Sequence, residues 1–425
     1  MRPSFAALLL AGLPLGSLVA GDESADPLVI DDAAPFSDRL LGDWGGVRSS
    51  LADHGVTLNL DGTYSLQGVA DGGTRFGHDE GNLFAGQLGL LLDTGKAGLW
   101  PGGFLSARVE GRGGDSVLRR AGTTSPVNNG AILPLIPGSL RDGGWGLTEL
   151  TYAQFLSEQF GLVMGLINTD SGDANPIAGS LGSDEFFMNT GLLYSPVAIS
   201  TVPNVTPGGG ILWIPSEENE VKLLVIGTSE TAGHNPFERY EGTTFLGEWA
   251  TKFRIADRPS GSTLSASYSI GEERLRLSDD PRLLLADYLT GTPLASTEDS
   301  WSIMWNGYHY VSGDETGGWG FFGRFGVSDG DPNPIDWAGA AGLGGIGLLP
   351  GRERDRWGLG LFHQSFADDG FLAAAGITEE TGAELFYNIA LGRGTNLTLD
   401  VQCVDSAVPR AGTVVVLGAR LGVRF

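Results

Sequence analysis

The chain has 425 residues, among them 68 glycines, 21 prolines and one cysteine, and its 26 basic and 51 acidic side chains give a formal net charge of −25. Glycine at more than twice its ordinary share of ~7%, without a collagen-type period, belongs to a chain of many tight turns and curving strands. The acidic excess argues against a nucleic-acid surface, which needs basic patches to displace counterions; the lone Cys403 excludes an internal disulfide framework, and five histidines leave little for a metal site, so neither metal nor cofactor is expected.

Arg2, the apolar run 5–13 and the small residues Val19, Ala20 and Gly21 read as an export signal over residues 1–21. Pro14 and the abrupt switch to GDESAD argue against a buried helix there. Cleavage would remove Arg2 and leave 25 basic against 51 acidic residues, or −26. No later stretch has the ~18 consecutive apolar residues of a membrane helix, so the expected destinations are the periplasm, the outer membrane or the medium. Residues 22–55 form a polar leader and a short helix. Leu40, Trp44, Val47 and Leu51 recur at helical spacing, with Asp43 placed as N-cap and Gly55 as a left-handed C-cap residue.

From Val56 the period becomes two. Val56, Leu58, Leu60, Tyr64 and Leu66 share one parity; Thr57, Asn59, Asp61, Thr63, Ser65 and Gln67 take the other. Successive strand side chains point to opposite faces, so one face is apolar and the other polar. The run 56–68 exceeds the ~5–6 residues of a globular strand and suffices for a tilted membrane strand of ~9–11. The pattern recurs at 104–112, 264–270, 384–391 and 396–403. Less clean segments lie at 84–94, 148–156, 161–168, 221–227, 244–254, 301–311, 319–327 and 356–364, and 413–425 closes the chain.

A soluble sandwich also alternates, with its polar face in water. Against it stand the strand lengths, the scarcity of segments apolar on both faces, and Arg108, Glu110 and Arg112 in register on one face. Only a closed sheet satisfies every backbone group within a bilayer. The reading is therefore an all-β fold, a transmembrane antiparallel β-barrel over residues 56–425 with a polar interior, preceded by the short N-terminal helix. The gaps 69–83, 95–103, 113–147 and 157–160 roughly alternate long and short, as outer loops and periplasmic turns do. The 113–147 loop, carrying Arg119, Arg120, Arg141 and Asp142, either folds inward to narrow a channel or stays on the surface, and 169–185 is the next candidate. Trp44 and Leu51 are expected to plug the periplasmic end of the barrel. The chain ends with Leu421, Val423 and Phe425 on one face and Arg420 and Arg424 on the other, a terminal aromatic of the kind that directs barrel assembly.

The run Gly42-Asp43-Trp44-Gly45-Gly46-Val47-Arg48, followed by Leu51 and His54-Gly55-Val56, resembles the opening of the carbohydrate-selective porin (OprB) family. The block from Phe322 to Gly330, then Glu384-Leu385-Phe386-Tyr387, and the end from Leu399 to Phe425 fit the same family, although Cys403 replaces an aliphatic or aromatic residue. The resemblance spans residues 36–425. It implies 16 strands in a Gram-negative outer membrane and passive diffusion of monosaccharides and related small solutes. Two strands beyond the clear segments could come from 184–194 and 208–214. The oligomeric state stays open between monomer and trimer.

No H-E-x-x-H motif occurs, and the acidic pairs Glu217/Glu218, Glu272/Glu273 and Asp279/Asp280 are adjacent loop charges, so no enzyme is expected. A pore for sugars needs groups that both donate and accept hydrogen bonds. Arg108, Glu110 and Arg112 on one lumen-facing row provide both. Arg324 and Glu384 share the polar parity of their strands, and Phe322, on Arg324's face, could stack on a pyranose ring. The competing classes are a general or cation-preferring porin, a non-transport structural barrel and a secreted soluble β protein.

Overall fold

The computed structural model describes residue 36 and residues 38–136, 143–238, 241–277, 296–367 and 370–425. The expected signal segment, most of the leader, Arg141, Asp142 and the Asp279/Asp280 pair lie outside these residues.

Sixteen strands among the described residues run antiparallel to their neighbours in chain order, and the first pairs with the last to close a barrel. They are β1 (Val56–Asp71), β2 (Glu80–Asp93), β3 (Gly103–Asp115), β4 (Gly144–Phe155), β5 (Phe160–Asn168) and β6 (Val205–Ser216). Then come β7 (Asn219–Gly227), β8 (Thr243–Ile255), β9 (Arg258–Leu275), β10 (Ser296–Asp314) and β11 (Gly317–Ser328). The last are β12 (Ile335–Ile346), β13 (Arg356–Phe366), β14 (Glu379–Gly392), β15 (Thr395–Asp405) and β16 (Thr413–Arg424).

The burial rule of soluble proteins is inverted along these strands. In β15, Leu399 and Val401 are each 47% exposed, whereas Asn396, Thr398, Asp400 and Gln402 are buried. Apolar residues outside and polar residues inside are what lipid around a hydrophilic lumen requires. At the end where β1 begins and β16 ends the turns are short: β6–β7, β8–β9, β10–β11 and β14–β15 are each joined by two residues. In the β8–β9 turn Ala256 and Asp257 both take positive φ, the backbone of a type I′ hairpin that follows the strand twist. The opposite end carries the long β3–β4 and β5–β6 loops, 116–143 and 169–204.

Two strand assignments need correcting. Segment 184–194 is no strand. It lies in the β5–β6 loop, where Phe186, Phe187, Met188, Leu192, Leu193 and Tyr194 are all buried. The sixteenth strand is β12, whose sequence IDWAGAAGLGGI offers little contrast between its faces. Its small residues answer a close approach. A Cβ on Gly342 would meet the Phe322 ring at 2.5 Å, and one on Gly344 would meet Ile177 of the β5–β6 loop at 3.3 Å. The 208–214 expectation holds as part of β6.

The N-terminal helix α1 (Val47–Asp53) follows a 3-10 turn, Trp44–Gly46. The N-cap is Gly46 rather than Asp43, which stands one 3-10 turn earlier and whose Oδ1 accepts from the Ser49 amide at 2.8 Å; Gly55, with φ 82°, follows the helix in the expected left-handed conformation. The expected plug is not formed by Trp44, which is 41% exposed. The buried member is Arg48, its guanidinium 4.7 Å from the Phe36 ring and 4.6 Å from the Trp44 ring, donating to Leu58 O at 2.9 Å. These contacts fasten the helix to β1.

Leu399 lies near the middle of the outward face of β15. Replacing it by Arg should lower the folding free energy in lipid vesicles by about 2–4 kcal/mol, the cost of a charge on the lipid face near the bilayer midplane. An unchanged denaturant midpoint would mean that this face does not meet lipid.

Candidate functional site

The β3–β4 and β5–β6 loops bond to each other and to inward-facing side chains of the strands, so the inward alternative is the observed one. The loops zip to each other through backbone and small polar groups. Asn129 N donates to Met188 O and Thr190 N to Pro126 O, both at 2.9 Å, and Ser125 Oγ donates to Asn189 Oδ1 at 2.7 Å. Loop backbone carries a donor and an acceptor per residue, and burial without partners would be costly. The partners come from lumen-facing side chains of the wall.

Arg324 on β11 is the densest of these attachments. Its Nε donates to Asp173 Oδ2 at 3.0 Å, one terminal nitrogen to Leu192 O at 2.6 Å, and the other to Asp173 O and Gly179 O at 2.8 and 2.9 Å. Glu384 on β14 accepts from the consecutive Met188 and Asn189 amides at 2.6 and 2.8 Å. Four residues away on the same face, Glu380 does the same for Thr124 and Ser125, at 2.8 and 2.6 Å. Arg112 on β3 donates to Ile132 O at 2.9 Å and to Pro134 O at 2.5 Å. Between these polar ties the Phe187 ring sits 5.6 Å from Phe322 and 4.7 Å from Phe386, in one apolar cluster with Ile177, Leu192 and Phe362.

All six residues expected to contact solute therefore face the lumen, but beneath the loops. Arg108, Glu110, Arg112, Phe322, Arg324 and Glu384 are between 1% and 8% exposed. Arg108 lies 3.3 Å from Glu149 and 3.8 Å from Glu110. Close to that row Asp170 accepts from Asn204 Nδ2, and burial pushes its carboxyl up to about 6, against the pull of Arg108. Burial also pushes Glu230, in the β7–β8 loop, up to about 7, although the Ala232, Val205 and Asn204 amides favour its charged form. Above those values both carboxylates ionise, and holding them ionised and buried costs stability, so these two groups favour the fold more in mild acid than in mild base.

Other anchors went unnoticed in the sequence. Arg420 on β16 donates to Asn129 Oδ1, Ser183 O and Phe186 O at 3.1, 3.2 and 2.7 Å, and Gln402 on β15 donates to Val127 O at 2.8 Å. Their polar parity was the available signal; apart from Asn129 Oδ1, what they bind is loop backbone, which leaves no side-chain signature. Among the described residues no group of acids, histidines and cysteine is arranged to hold a metal ion.

A closed 16-stranded barrel with an apolar outside, a polar inside and two long loops tied across its lumen is a porin. Residues 78–425 match the carbohydrate-selective porin, OprB family, and the chain belongs to that family: it is an outer-membrane channel for sugars. The high-pH structure of Pseudomonas putida OprB superposes with a TM-score of 0.76 at 20% identity, over 92% of this chain and 99% of that one. The low-pH structure of the same protein gives 0.56 at 17% identity over the same shares. At these identities the likeness concerns the fold. No curated protein matches the chain in sequence.

Replacing Arg324 by Met should loosen the part of the β5–β6 loop around Asp173, Gly179 and Leu192 and raise single-channel conductance, with the barrel itself still folded. A variant with wild-type conductance would show that Arg324 does not hold the loop in the pore.

Proposed function

We propose that small, uncharged sugars diffuse passively through this barrel, and that Arg108, Glu110, Arg112, Phe322, Arg324 and Glu384 set the pore's dimensions through the loops they hold. The observation that carries this reading is the pairing of charge inside the lumen. Arg108 is matched by Glu149 and Glu110, Lys222 by Glu220 and Glu248, and Arg324 by Asp173. A wall in which each of these cations lies against a carboxylate supplies donors and acceptors side by side. It suits a neutral solute with many hydroxyls better than an ion, and weak contacts let the solute leave again. Other small hydrophilic solutes would share the path. The chain reaches the outer membrane with residues 1–21 as a cleaved signal, and each barrel has its own lumen, so a monomer or a trimer would conduct alike per chain.

The excess of 51 acidic over 26 basic residues favours a second reading, a general pore that prefers cations. Planar-bilayer recordings separate the two. The sugar reading expects ohmic steps that glucose lowers in a saturable way, and a reversal potential near zero in a salt gradient. Steps indifferent to glucose, with a strongly cation-selective reversal potential, would favour the second reading.

A further inference from the structure

Not every lumen charge is covered by the loops. At the short-turn end of the barrel, three guanidinium and three carboxylate groups form an arc that keeps contact with water. Arg356, the first residue of β13, lies 3.2 Å from Glu185, which lies 2.7 Å from Arg424 at the end of β16. Arg424 also reaches Asp184 at 3.2 Å, and its Cα partner in β1 is Asp61. Asp61 in turn is 2.9 Å from Arg39, which comes from the segment ahead of α1. Asp184 and Glu185 belong to the deepest part of the β5–β6 loop; Arg356, Arg424 and Asp61 share the inward parity of their strands. The arc thus combines barrel wall, inward loop and N-terminal segment.

Exposure separates these groups from the loop anchors. The six side chains are 13–32% exposed, whereas that of Arg324 is 2% exposed. They hold one another and still present nitrogen and oxygen edges to the mouth. The signs balance, three against three, on a chain whose net charge is −25. Burial works against the Asp184 carboxylate, but Arg424 and Arg420 hold it below the usual carboxylate range, so it remains an acceptor at neutral pH. An anion or a cation moving along the arc would meet a group of its own sign at the next position. A neutral polyol would find a guanidinium fork and a carboxylate in alternation, the pattern that adjacent hydroxyls can match as donor and acceptor.

We propose that this arc is a saccharide subsite at the periplasmic mouth, completed by Arg39 of the N-terminal segment. It rests on the sugar-porin reading and adds a site outside the row on β3. In such a site the segment before β1 contributes to solute passage as well as to the fastening of α1. Leu40 N donates to Arg424 O at 2.8 Å, which fixes the backbone next to Arg39 against the last strand.

The test is glucose titration of the full-length channel in planar bilayers, with sugar added to either side. Arg39→Met and, separately, Arg356→Met should raise the half-saturating concentration for addition at the periplasmic side about fivefold, a loss of ~1 kcal/mol, and change it less than twofold for addition at the other side. Neither substitution lies in a membrane-facing position. Arg39→Lys keeps the charge without the planar fork and should show the same rise. Unchanged saturation in both Met variants would overturn the proposal, and so would an Arg39→Lys channel with wild-type saturation, because the mouth would then act through charge alone. A wild-type channel indifferent to glucose from both sides would instead remove the sugar reading on which the subsite rests.

Discussion

The structure depends on one constraint: a strand in lipid has no water to satisfy its backbone, so every N–H and C=O must pair with another strand. Closure between β1 and β16 meets it, in a register running from Asp61 opposite Arg424 to Asp71 opposite Val415. The final residues are tied in the same way. Phe425 N donates to Leu60 O at 2.9 Å and Arg424 N to Gly394 O at 2.7 Å. With the sheet closed, the two-residue side-chain period divides each strand between lipid and lumen, and the inverted burial pattern follows without further assumption.

A lumen enclosed by sixteen strands is wide. Two loops narrow it, and their presence there transfers the backbone problem from the wall to the interior. The answer is chemical rather than topological. Guanidinium groups take loop carbonyls, and carboxylates take pairs of consecutive amides, with an apolar cluster around Phe187 between them. Charge-assisted bonds of this kind contribute about 1.5–3 kcal/mol each, although those sharing one guanidinium do not add independently. Arg324 is therefore a hub, and the loop it holds is part of the wall's packing.

Much of this was legible in the alternation of residues, and the errors have physical causes. The polar parity of Arg108, Arg324 and Glu384 puts them on the lumen face of their strands, where Arg324 and Glu384 bond to the loops. Parity cannot distinguish a lumen residue facing water from one facing loop backbone, because a carbonyl acceptor belongs to every residue type. Segment 184–194 imitated a strand because its aromatic and aliphatic residues fill an apolar cluster within the lumen. Strand β12 escaped notice for the converse reason: Ile177 and Phe322 press against it, so glycine and alanine stand where larger lumen residues would give contrast. The helix was marked by Asp43 and Gly55, but its buried residue is Arg48, a cation that an apolar-face count omits.

The central claim is that the β5–β6 loop, held by wall side chains, defines the channel. Its two ends already meet, since Ser195 N donates to Asp173 Oδ2 at 2.9 Å, so residues 174–194 can be replaced by a two-glycine link without stretching the barrel. Liposome swelling with sugars of increasing length is the direct measurement. The account predicts that the shortened channel admits trisaccharides at rates close to those of monosaccharides. A size limit identical to that of the full chain would contradict it and place the constriction elsewhere.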